Sequence, residues 1–580
     1  ASQYTITWLG TTSLTLDKSW DLAAFNFTNS GLIIMGNFNI ALTSSAGALT
    51  GAGFGVSKMF LTNGTGTLSR AVLVAGTGLP FTWPIGENTG ATEYSPVTIN
   101  SIASAGINGN IAFRVVDGVQ PNMSPATVYV SRYWPMTVTG FNATYTLGSS
   151  TFTYDASDIV VGPEAALKGN VYSSSGSYWT ELASSSAAAN VLTITSGMAG
   201  SFMPGGSTYD IVPRVDVPTY YQSVGAGGNW NVASNWEVAD NLAFTGAIAA
   251  VISPTNLNSS GIFIRSGSPI TVSSAVTADQ LTVDAAATLT VETSGTLTIA
   301  NGTGTDLSVA STGTLLTNSG TATFVVNASA TVQVDGTFKE ATAVPTVTVN
   351  GTITIGATGT YEHGVNVGSI PTCTWASGST CLLKGFTTGT PSGLGQAFHH
   401  FTVDCPALGV FHLSTSGNLQ TINGNLTLIS TGASSLRLSA GTNYTLNVGG
   451  NIDVQGTSQL DFSSGGGTST INVTGNVTQS GTSIIQKTSI ATITLNINGN
   501  FVQSAGTFDV NNGASGGAMT VNFRGDVTMN GVVQRSNGGT YTFNFVKPTG
   551  TQTITQGTPI TTAQAILWVV GDGVTTNTLQ

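Results

Sequence analysis

The sequence predicts an all-β chain, a right-handed parallel β-helix of about 25 residues per rung with an inserted immunoglobulin-like β-sandwich. Three observations lead there. Only 7% of the 580 residues are charged, where an ordinary soluble domain carries about 25%. The remainder is rich in Ser, Thr, Asn and Ala, with 73 glycines and 40% apolar residues, and has no helical periodicity. Above all, a short strand motif recurs at nearly constant spacing.

The motif, Thr-apolar-Asn-apolar, places its first apolar residue at Leu446, Ile471, Leu495, Val521 and Phe543, with spacings of 25, 24, 26 and 22. A Gly-Asn or Gly-Asp step follows the first four copies, at Gly450, Gly475, Gly499 and Gly525, with an earlier one at Gly424; glycine marks a corner. A second alternating strand comes next, as in Ile452-Asp453-Val454 and Val477-Thr478-Gln479. Upstream, strands starting at Leu281, Leu289, Leu297, Leu307 and Leu315 lie 8, 8, 10 and 8 residues apart, so three of them make one turn of 26.

The scarcity of charge follows from such stacking. A side chain repeated every rung sits about 4.8 Å above its counterpart, so a repeated charge becomes a column of like charges. Thr, Ser and Asn stack without that penalty. With Leu446 and Val448 inward, Asn447, Asn472, Asn496, Asn522 and Asn544 should form one external amide ladder.

Four segments are expected: short coils over 1–70, the sandwich over 71–215, a Trp-containing junction over 216–247 and the main solenoid over 248–580. The sandwich is expected from longer strands and from aromatic residues with polar handles, among them Trp83, Tyr94, Trp134 and Trp179. The main solenoid should hold about 13 rungs, a rod of about 60 Å.

Asn63-Gly-Thr-Gly-Thr-Leu-Ser-Arg70, Trp83-Pro-Ile-Gly86 and Tyr94-Ser-Pro-Val resemble a module of large surface and secreted proteins of Bacteroidetes-type bacteria. Gly228-Asn-Trp230 through Trp236 is similar to a Gly-Asn-Trp segment of the same proteins. Thr374-Trp375, Gly378 to Cys381, Gly393 to Gln396 and Phe401 to Cys405 are similar to their repeat regions. The resemblance implies β-solenoid architecture and export by the type IX route, with a C-terminal sorting domain that this sequence does not display. It implies no defined activity. A start at Ala1 suits a mature exported chain, and the end at Gln580 reads as an open strand edge from which copies could join.

A net charge of −11 with 15 Lys plus Arg and no basic run leaves no footprint for nucleic acid, and no apolar run is long enough to insert in a membrane. All four histidines and all three cysteines fall within 50 residues, yet none has the tight pair spacing of a zinc site, so neither metal nor cofactor is expected. Cys381 and Cys405, one rung apart, are the disulfide candidates, with unpaired core cysteines as the alternative and Cys373 free. Trp230 and Trp236 are candidates for a sugar platform or, in the plainer reading, a packed junction. Asp404, Asp453, Asp461, Asp509 and Asp526 read as solvated surface acids, and regular Thr-x-Thr columns of the kind that would suggest ice binding are not expected.

The expected function is therefore an extracellular structural or adhesive protein without catalysis, self-associating into fibres or layers. A lectin-like adhesin for surface glycans is the first alternative, and a β-helix polysaccharide lyase or hydrolase the second.

Overall fold

The computed structural model describes the chain except residues 1–3, 45–47, 73–78, 104–107, 124–127, 142–144, 161, 174–177, 183, 197, 200–202, 204–207, 216–217, 251, 410–411, 514–515, 558–565, 572–577 and 580. The end expected at Gln580 thus lies outside the described residues. The chain is nearly all β, 2% helical, and its parallel coils form a β-solenoid of about 21 turns at about 24 residues per rung. No helix is long and apolar enough to cross a membrane. Two compact units divide it. One comprises Ala1–Tyr220, Val238–Ile252 and Leu257–Ser259; the other comprises Tyr221–Glu237, Ser253–Asn256 and Ser260–Gln580.

The N-terminal unit opens with coils of three short parallel stacks. Thr5–Trp8, Ala24–Phe27 and Leu49–Thr50 form one, Leu14–Thr15, Gly31–Ile34 and Lys58–Leu61 the second, and Trp20–Leu22, Ile40–Leu42 and Leu68–Val72 the third. The boundary expected near residue 70 falls inside Leu68–Val72. This strand pairs in parallel with Ile40–Leu42 on one edge and antiparallel with Gly109–Phe113 on the other. From there the sheet continues antiparallel through Arg132–Thr139, Thr208–Arg214, Lys168–Ser173 and Tyr178–Leu182.

A second antiparallel sheet, Phe81–Trp83, Val97–Ile99, Ser150–Thr153, Val191–Ile194 and Ser185–Ala188, supplies the other layer. The two meet at Trp83–Phe113 (5.1 Å) and Trp134–Phe152 (5.4 Å), within one apolar core that also includes Phe25, Phe27 and Phe60 of the coils. The sandwich therefore grows from the edge of the coils and shares their core, and the sequence could not separate the two because the shared strand has the same alternation on either edge.

The second unit is a parallel solenoid. One sheet of fourteen strands runs from Gly228–Asn229 to Ile554–Gln556, spanning about 60 Å at about 4.8 Å per strand. A second sheet stacks Gly261–Ile264 through Thr374–Trp375, and a third stacks Ala275–Ala278 through Thr346–Val349. Towards the C-terminus their places are taken by an eight-stranded sheet, Ala397–Phe398 to Leu567–Val570, and a six-stranded one, Leu413–Ser414 to Val532–Gln534.

Leu446, Ile471, Leu495, Val521 and Phe543 lie directly over one another in the eight-stranded sheet, all buried. The uneven spacings of 24 and 26 are absorbed in the loops, so the strands stay in register. From Tyr444–Val448 to Thr540–Phe545 the strands of this sheet alternate buried and outward-facing residues, as in Thr468–Val473. Registry is thereby fixed, because a slip of one residue would turn the apolar set to solvent.

Candidate functional site in the side-chain columns of the C-terminal coils

Three columns organise the C-terminal coils. The outermost is the asparagine ladder: Asn472 Nδ2 donates to Asn447 Oδ1 (2.9 Å), Asn496 to Asn472 (2.8 Å), Asn522 to Asn496 (2.7 Å) and Asn544 to Asn522 (2.7 Å). Beside it Thr445, Thr470, Thr494, Thr520 and Thr542 form an in-register column of single threonines. A neighbouring row of Thr468, Thr492 and Thr540 is interrupted by Ala518. At one end of this uncharged face an open hollow of about 420 Å³ is lined by Gln420, Thr421, Asn443, Tyr444, Thr445 and Asn447.

The second column explains the Gly-Asn corner. Asn425 Oδ1 accepts from the backbone N–H of Asn451 (2.9 Å), Asn451 from that of Asn476 (2.8 Å), Asn476 from that of Asn500 (2.8 Å) and Asn500 from that of Asp526 (2.9 Å). Each amide caps the rung above it. Glycine precedes it because the stacked corners leave no room: a Cβ on Gly475 would lie 2.2 Å from Asn451 Oδ1 and 2.7 Å from Gly450 O.

The third column is buried through its three middle members, Asp461, Gln486 and Asp509. Arg437, Asp461, Gln486, Asp509 and Gln534 are in register on the six-stranded sheet. Asp461 and Asp509 are 0% exposed, which corrects their reading as solvated surface acids. Asp461 accepts from Arg437 Nε (2.9 Å) and Thr488 Oγ1 (2.6 Å), and burial pushes its carboxyl above the usual range against those bonds. Asp509 accepts from Gln534 Nε2 (2.7 Å), the Asn511 N–H (2.9 Å) and Ser536 Oγ. Buried Lys487 follows Gln486 directly, and burial brings its amine down to about 8, opposed by Asp461 and Asp509. The intervals of 24, 25, 23 and 25 from Arg437 to Gln534 carried this column in the sequence. It was missed because no side-chain type repeats on successive rungs.

The disulfide candidates do not meet. All three cysteines are free thiols; Cys381 lies over Phe401, and Cys405, four residues further along, donates its thiol to Leu383 O (3.3 Å). The local rung from Cys381 to Phe401 is 20 residues, so the 24-residue separation is not one rung here. Burial pushes Cys373 up to about 12 and Cys405 up to about 11. The histidines are bound within the coils. Buried His363 contacts Tyr361 OH (2.9 Å) and Val367 O (2.7 Å), His400 Nδ1 accepts from the Asn425 N–H (3.0 Å), and His412 Nδ1 faces Ser435 Oγ (2.7 Å).

Trp230 and Trp236 are 1% and 0% exposed and pack edge to face at 5.0 Å, so they offer no ring face to a sugar. Their indole N–H groups donate to Pro254 O and Trp230 O, both at 2.8 Å. They are core of the first coil of the second unit.

Among the described residues, one trio of potential metal ligands converges: Glu87, Glu93 and Asp117, in the N-terminal unit. They face Arg132, which is 0% exposed and lies 3.4 Å from Glu87, 3.7 Å from Asp117 and 2.7 Å from Asp158, and which also bonds Glu93. The guanidinium already occupies the centre of the cluster and supplies its counter-charge. The chain matches no protein-family model, no curated protein and no solved structure.

Proposed function

We propose that this chain is an extracellular structural or adhesive protein, a stiff β-solenoid stalk or a component of a fibre or surface layer, without catalytic activity. The observation that carries this reading is the set of in-register columns in the C-terminal coils, in which successive rungs are joined by backbone pairing, an outer amide ladder and corner caps. Such a stack resists local opening because every rung is held by both neighbours. Few of its bonds are ionic, so high salt leaves it intact. Export by the type IX route, implied by the resemblance to Bacteroidetes-type surface proteins, belongs to the same reading. The lectin alternative loses its named residues with the burial of Trp230 and Trp236.

Electron microscopy of the native material tests the proposal. Fibres, layers or surface-anchored rods are expected. Dispersed monomers that bind one glycan saturably on an array would overturn it in favour of a lectin.

A further inference from the structure

Lys487 and Asn511 are both 0% exposed and belong to adjacent coils. Lys487 Nζ donates to Ser489 O and lies 3.4 Å from Asn511 Oδ1. A carbonyl bond is about 1.23 Å long, so Nζ is no more than about 4.6 Å from the carboxamide carbon.

The carboxamide is held for attack. Its Nδ2 donates to Gly538 O (3.0 Å), its side chain bonds the Tyr541 hydroxyl, and its backbone N–H is anchored on Asp509 Oδ1 (2.9 Å). The Tyr541 ring also lies under the amine, 5.7 Å from Nζ. With the amine brought down to about 8, its neutral, nucleophilic form is accessible near neutral pH. A nucleophile and an electrophile fixed side by side in a dry interior, with their approach already prepared by folding, are the conditions under which an otherwise slow acyl transfer proceeds.

We propose that Lys487 and Asn511 join as an intramolecular isopeptide bond that cross-links two neighbouring coils. Nζ attacks the Asn511 carboxamide carbon and forms a C–N bond. The bond from that carbon to Nδ2 breaks, and the departing nitrogen takes up the proton that Nζ loses and leaves as ammonia. Nothing is oxidised or reduced, and no reagent outside the chain is consumed. Asp509 is a positioning residue, acting through the backbone of Asn511. The consequence is a covalent clamp between consecutive rungs, closing a loop that pulling along the chain could not open. The proposal holds whether or not the chain is a stalk.

Mass spectrometry of the purified full chain decides it. The intact mass should be lower than the sequence mass by one ammonia. Trypsin should fail to cut after Lys487, so that residues 438–524 emerge as one peptide lacking one ammonia. An intact mass equal to that of the sequence, with 438–487 and 488–524 recovered as separate unmodified peptides, would overturn the proposal and leave a hydrogen bond only. Lys487→Met and Asn511→Ser should each restore the full mass. A deficit that persists in either variant would equally overturn it, and neither mass reading depends on how stably the variant folds. Asp509→Ala, which removes the acceptor for the Asn511 N–H, should slow the appearance of the linked peptide; an unchanged rate would remove Asp509 from its role.

Discussion

Asp461 and Asp509 occupy one buried column two coils apart, with Gln486 between them. Two carboxylates on successive rungs would lie about 4.8 Å apart in a poorly solvated interior, where neither could ionise cheaply. The interposed amide removes that repulsion, and Gln486 Oε1 accepts from Asn512 Nδ2 (2.7 Å). Gln486→Glu should therefore cost about 3 kcal/mol or more in chemical denaturation at neutral pH, as an unpaired buried charge does. On the outer ladder Asn496→Asp keeps its acceptor for Asn522 and loses only the donor to Asn472, so about 1 kcal/mol is expected. Equal losses at the two positions would show that burial is not what makes the interior column intolerant of repeated charge.

Corner glycines should divide sharply by what lies above them. Gly475→Ala drives a methyl group into Asn451 Oδ1 and Gly450 O and should cost about 1–3 kcal/mol, with the Asn451 cap displaced. Gly466 is the control: the nearest atom to its Cβ is Ile490 Cδ1 at 3.9 Å, so Gly466→Ala should leave the melting temperature nearly unchanged. Thermal unfolding of the two variants side by side checks the difference. A tolerated Gly475→Ala would mean that the corner relaxes and that the Gly-Asn step reflects something other than close stacking.

The fold was legible wherever one residue type repeats in place. Leu446 to Phe543 and Asn447 to Asn544 announce their columns because each rung repeats the same chemistry at the same strand position. The interior column was not legible, since Arg437, Asp461, Gln486, Asp509 and Gln534 are related by register and not by type. Cys381 and Cys405 misled for the opposite reason: a separation of 24 matches the average rung, but the local rung is 20. Arg132 and its four carboxylates span residues 87 to 158 and are brought together by antiparallel pairing, of Glu87 with Glu93 at the edge of a coil sheet and of Asp117 with Arg132 in the sandwich. No spacing rule reaches across such pairs.

The thiols give a direct check on the cysteines. With Cys381 and Cys405 buried and free, an alkylating reagent should label them slowly in the folded protein and all three cysteines rapidly in denaturant. Their raised thiol pKa values reinforce the difference, because little reactive thiolate forms near neutral pH. Reduction before denaturation should change neither the number of labelled thiols nor the gel mobility. A gain of two thiols on reduction would restore the disulfide.

Removal of Arg132 should produce a deficit that depends on pH in a definite direction. Burial holds the Glu93 and Asp117 carboxyls above their usual range even with the guanidinium present, and Arg132 acts against that rise. For such groups the folded state binds more protons than the unfolded chain between the ordinary carboxylate range and the raised value, so stability falls as pH climbs through that window. In Arg132→Met the opposing charge is gone, both carboxyls rise further, and the window widens towards neutrality. Denaturation at neutral pH should then show a loss of about 3–5 kcal/mol, the scale of a buried charge cluster stripped of its partner. At about pH 5 protonation neutralises part of the cluster, and the gap to the wild type should narrow. A loss of the same size at both pH values would mean that Arg132 stabilises the sandwich by packing alone, with its charge irrelevant to the carboxylates around it.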